Sequence, residues 1–222
     1  MINLYCERID PGFWAEPVNA FTNIGFAVAA WFIWRIAVHG QARDSSIVAI
    51  TVVIAAIGVG SFLFHTMATP FTRWLDIIPI LVFQLLYIGF YTRRVIKLRV
   101  VVIGILLLLF LAAAVYGRQF PHVINGSLVY VPAILVIFVL GMYHYQSQKV
   151  GRSLLLSAAS IFLLSVFFRS IDNMICTQFV LGTHFLWHIL NALVIYLAMR
   201  ALIVNLSSGP GSISHIKGVS VD

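Results

Sequence analysis

The chain has 222 residues, of which 61% are hydrophobic and only 9% charged, with a formal net charge of +7. A soluble domain of this length cannot hide that much apolar surface, so a polytopic membrane protein is the class that remains. The positive charges stand singly at the ends of apolar runs, which marks membrane topology and argues against a nucleic-acid partner.

The N-terminal segment, MINLYCERIDPGFWAE, carries charges and no apolar h-region, so no signal peptide is expected and the first span must direct insertion. Seven apolar stretches follow, at 17–39, 46–68, 71–92, 95–116, 126–145, 152–172 and 183–205. Each has the length, about 20 residues, that crosses a bilayer as a helix. The expected fold is an all-α membrane protein of seven transmembrane helices in one domain, 1–205, with a flexible Gly/Ser-rich tail over 206–222. Arg35, Arg43, Arg93, Arg94, Lys97, Arg99, Lys149, Arg152, Arg200 and Lys217 follow the odd-numbered spans, whereas Arg8, Arg73, Arg118 and Arg169 lie on the other side. The positive-inside rule then sets the N-terminus outside and the C-terminus in the cytoplasm.

Taken in order, the first polar cluster is Glu7, Asp10, Glu16, Asn19 and Asn23, the last three sharing one face at the start of span 1. Oxygen ligands of this kind suit a hard cation such as calcium, while helix capping by Glu16 and ordinary surface polarity account for the same residues. In span 2, GVGSFLFHTM sets Ser61 and His65 four apart on one face, and Gly58, Gly60 and Ser61 admit a close neighbour helix. In span 3, TRWLDIIPIL holds Asp76, the acidic residue that lies well inside a span, and Pro79 opens the backbone beside it. Arg169 and Asp172 in FFRSIDNMIC read as an ion pair ordering the rim of span 6. Cys6 and Cys176 both map to the external side, where a disulfide between them is expected. Span 7 opens with THFLWHILN: His184 and His188 stand one turn apart on one face, and Trp187 between them has the shape to line a lipid cleft. His39, His122, His144 and His215 fall in loops or at span ends and receive no function.

The expected topology puts Ser61, His65, Asp76, His184 and His188 at one depth, although they come from three separate spans. Three histidines with an open fourth position make a catalytic zinc site, at which water becomes hydroxide because its pKa falls to about 7. Asp76 suits a general base that passes the water proton to a leaving nitrogen; the alternative is an acceptor that holds a histidine ring in place. Ser61 is either an oxyanion donor or a serine of helix packing.

These motifs resemble the alkaline ceramidases, within the CREST superfamily of seven-helix membrane hydrolases. The resemblance runs through CER…FWAEPVNAFTN, GVGSFLFH, LDIIP, SIDNMIC and HFLWH, and so covers most of the chain. It implies zinc on His65, His184 and His188, with Asp76 and Ser61 assisting hydrolysis of a ceramide amide to a fatty acid and a sphingoid base. It also implies paired Cys6 and Cys176 and a calcium site in the N-terminal segment, to which Glu7 and Glu16 correspond; Leu4 and Ile9 stand where the eukaryotic members carry Asp and Asn. The expected protein is a zinc-dependent intramembrane amidohydrolase acting on a membrane lipid, its site on the external side, with no obligate protein partner. The rival readings are a seven-helix lipid receptor with a mainly structural zinc site, a hydrolase of another lipid amide or ester, and a metal transporter. The last would need a polar path through the inner halves of the spans, and the sequence has none.

Overall fold

The structure, a computed structural model, describes residues 1–40 and 44–207. Arg43, His215, Lys217 and the expected tail from 208 onward lie outside the described residues. Seven helices long and apolar enough to cross a membrane are present: α1 Pro17–His39, α2 Ser45–Met67, α3 Pro70–Ile96, α4 Val100–Gly117, α5 Val123–Gln146, α6 Leu154–Met174 and α7 His184–Leu206. No described residue is in a strand. The all-helical, seven-span expectation therefore holds, with boundaries displaced by a few residues.

Local chemistry explains where the helices start and stop. Asp44 caps α2, its Oδ1 accepting the amides of Ser46 (2.9 Å) and Ile47 (3.0 Å). Thr69 caps α3 in a reciprocal pairing with Thr72, and Pro70 occupies the first turn, where its missing N–H costs nothing. Helix α1 is broken at Asn23 between the segments Pro17–Thr22 and Ile24–His39. Helix α5 enters through a 3₁₀ stretch in which Ile124, Asn125 and Gly126 are left-handed.

Sequential helices pack side by side, and α7 returns to α1, so the bundle closes as a ring; the α2–α3 and α6–α7 pairs share the most extensive contacts. The inward faces carry Ile33, Ile47, Ile50, Ile54, Leu155, Met199 and Leu202, all fully buried. Val101, Leu108, Leu109, Leu135, Val139 and Leu163 project outward, as a lipid-facing surface requires.

Two features set the depth and closeness of the site. A Cβ on Gly60 would lie 2.0 Å from the carbonyl oxygen of Leu75, so only glycine lets α2 meet α3 here. That carbonyl is the one that Pro79, lacking an N–H, leaves without its helical donor. The second feature is a strap, residues 1–16, lying across one end of the bundle. It is tied down by the Cys6–Cys176 disulfide, with the Cα atoms 5.1 Å apart, as the sequence led us to expect, and by Ile2 N donating to Ala68 O at 2.8 Å.

Candidate metal centre

His65 comes from the last turn of α2, and His184 and His188 from the first two turns of α7. The three are 1–2% exposed, and one ligand atom from each lies within 4.8 Å of the others, a cluster that could hold a metal ion. The ring centroids are 4.6 to 5.2 Å apart. No carboxylate or thiolate completes this grouping among the described residues.

What the rings touch decides which nitrogens remain free. Thr22 Oγ1 lies 3.0 Å from His188 Nδ1 and 2.8 Å from the carbonyl of Val18. The hydroxyl proton goes to that carbonyl, so the oxygen accepts from Nδ1–H and leaves His188 Nε2 with its lone pair. Glu16 Oε2 stands 2.5 Å from His65 Nδ1, which fixes the same tautomer there. His65 Nε2 and His184 Nδ1 are then buried nitrogens with no protein partner. Buried polar atoms are rarely left so, and a metal would satisfy both.

Asp76 and Ser61 join the histidines. Both His65 and Ser61 are near enough to Asp76 to favour its ionised form. Of the five residues expected to converge, His65, His184 and His188 form one cluster, and Asp76 and Ser61 lie on the His65 side of it.

The N-terminal cluster takes a different form. Glu7 Oε1 and Oε2 accept the amides of Val18 (2.7 Å) and Asn19 (2.8 Å), so Glu7 caps α1 from a distance. Glu16, the expected cap, makes no capping bond. Its oxygens are held by Arg8 Nε, by His65 and by Asn19 Nδ2. Asp10 is exposed and accepts Gly12 N. Asn19 Oδ1 and Asn23 Oδ1 are buried without partners.

The expected Arg169–Asp172 pair does not form. Asp172 Oδ1 accepts Thr183 N (2.6 Å) and His184 N (2.9 Å), and Oδ2 accepts Cys6 N (3.1 Å). One carboxylate thus caps α7 at its first ligand and grips the strap. Gly182, at φ +62°, makes room for it, since a Cβ there would lie 2.2 Å from Asp172 Oδ1. Arg169 donates to Asn125 O at 2.7 Å and Ser127 Oγ at 2.9 Å, with its guanidinium over the Tyr130 and Trp187 rings. Trp187 is buried against Tyr130 and Phe162, so it belongs to the core and not to a cleft. Tyr5 was not anticipated: its ring stacks on His184 at 3.5 Å between centroids.

Fold and site together define a seven-helix membrane protein with a buried three-histidine centre at one end of its bundle. A family model described as Ceramidase matches residues 5–210. The chain belongs to the ceramidase family, which implies hydrolysis of a lipid amide. No curated protein matches it.

Proposed function

We propose that this protein is a zinc-dependent intramembrane amidohydrolase that cleaves ceramide-like lipids to a fatty acid and a sphingoid base. The observation that carries this reading is the pair of partnerless nitrogens, His65 Nε2 and His184 Nδ1, beside a His188 whose Nδ1 is already held by Thr22. Three histidines, two of them with Nδ1 held by Glu16 and Thr22, have the donor set of a catalytic zinc site. Zinc in such a site polarises a carbonyl and brings the pKa of water to about 7.

The chain's own groups supply the rest. Asp76 takes the proton released by the attacking water and delivers it to the leaving amide nitrogen. Ser61, beside it, donates to the oxygen on which negative charge develops. An apolar groove lined by Pro17, Val18, Phe21, Thr22, Gly25 and Ile189 opens between α1 and α7. Thr22 both lines it and bonds His188, so an acyl chain in the groove ends beside the histidines. Charge asymmetry among the loops supports placing this end of the bundle on the external side.

The experiment is release of sphingoid base from a ceramide panel by purified protein of known zinc content, wild type beside Asp76→Asn. Wild type should turn over, and Asp76→Asn should keep zinc while losing at least about 100-fold in rate. Zinc-loaded, folded wild type that releases nothing would defeat the ceramide reading and favour another lipid substrate or the receptor.

A further inference from the structure

Arg8 is a buried cation that the proposed chemistry does not use. It is 3% exposed, in a strap that precedes the first span, and burying an arginine is costly unless every prong is occupied. Its contacts are specific. Nε donates to Glu16 Oε1, Nη2 donates to the main-chain oxygen of His65 at 2.7 Å, and Nη1 donates to Gly12 O at 3.3 Å.

The bond to His65 O has a plain origin. His65 is in the last turn of α2, where carbonyls lack helical donors and the helix end carries partial negative charge. A guanidinium there satisfies the carbonyl and the dipole together. The same group holds Glu16, whose other oxygen holds His65 Nδ1. One arginine therefore grips one histidine twice, through its backbone directly and through its ring by way of Glu16.

We infer that Arg8 is the resident cation of the strap: it positions His65 and thereby sets the affinity of the histidine centre for its metal, without calcium. The inference rests on the metal-site reading above. A calcium ion needs six to eight oxygen ligands. The carboxylate oxygens of Glu7 and Glu16 already accept N–H donors, and Leu4 and Ile9 have no oxygen in their side chains. Asn19 Oδ1 and Asn23 Oδ1 are the buried side-chain oxygens left without a partner among the described residues, and both are neutral, so no buried carboxylate of the strap is free for a dication. The positive charge that Glu16 requires is covalently built in.

The test uses the full chain in detergent, stripped of metal and titrated with Co²⁺, whose visible absorption reports ligand geometry, with Zn²⁺ by competition. Wild type, Arg8→Lys, Arg8→Leu and Glu16→Gln are compared, with calcium and with a calcium chelator. Arg8→Leu and Glu16→Gln should each weaken metal binding by about 10-fold or more and change the Co²⁺ spectrum, as expected when an outer partner of a ligand is lost. Arg8→Lys keeps the charge but not the fork, and should fall between. Calcium should change nothing in wild type. If Arg8→Leu does not fold, Arg8→Lys carries the test. Wild-type affinity and spectrum in the folded Arg8 variants would overturn the role of Arg8, and tighter wild-type binding with calcium would overturn its independence. Wild type that binds neither metal would instead bring down the metal-site reading, and this inference with it.

Discussion

Two buried histidine environments lie at opposite ends of the bundle, and they differ in what is missing. His144, in the last turn of α5, is fully buried with both ring nitrogens occupied: Tyr91 Oη lies 2.6 Å from Nδ1 and Val150 O 3.2 Å from Nε2. His65 and His184 are buried as deeply, yet each keeps one nitrogen without a protein partner. Burial alone does not separate a structural histidine from a ligand. A satisfied ring closes a local network and locks two helices, whereas an unsatisfied one points to a group that the polypeptide does not supply.

Substitution at each end gives the sharpest contrast. His188→Ala should abolish stoichiometric metal binding and reduce lipid hydrolysis to background. His144→Ala should leave metal content unchanged and cost about 1–3 kcal/mol of stability through the unpaired partners it strands. Metal analysis and thermal unfolding of both variants check this, and loss of metal from His144→Ala would erase the distinction. A smaller effect is expected at Thr22→Val, which keeps the side-chain shape and removes the acceptor for His188 Nδ1–H. Metal affinity should fall by about 10-fold, read by competition with a chromophoric chelator.

The smallest effect lies away from both histidine sets. Asp44 caps α2 and pairs with Arg94, which also donates to Ser46 Oγ at 2.9 Å. Burial opposes its ionisation, but Arg94 and the Ile47 and Ser46 amides outweigh that and hold the carboxyl below its usual range. A carboxyl depressed on folding contributes stability above its unfolded pKa, and that stability is lost as pH falls through the folded one. Asp44→Ala should therefore cost about 1 kcal/mol at neutral pH, since this group is partly solvated. The gap from wild type in thermal unfolding should close below about pH 4.

Much of the fold was legible because a bilayer imposes long apolar runs, and because a turn of helix puts His184 over His188 and Ser61 over His65. Asp76 stood out for a related reason: a carboxylate inside a span is conspicuous. The strap was not legible in the same way. Residues 1–16 have no period, so the contacts of Tyr5 with His184 and of Arg8 with His65 depend on chain folding back over a distance that no local pattern encodes. Glu16 was read through the helix it precedes, as a cap or cation ligand, when its partners are Arg8 and His65. Arg169 and Asp172 are neighbours on paper, but Asp172 is drawn to the free amides at the start of α7. His144 was read as a span-end residue without a role because its partner Tyr91 belongs to a different helix.

The disulfide that pins the strap joins residues 170 positions apart. During synthesis the strap is made well before the elements that hold it, because Cys176 and the start of α7 appear only after six helices, α1 to α6. His65, made in α2, meets its companion histidines only once α7 has followed. A shortened chain that stops before α7 thus lacks two of the three histidines, and the proposed centre waits on the last described helix.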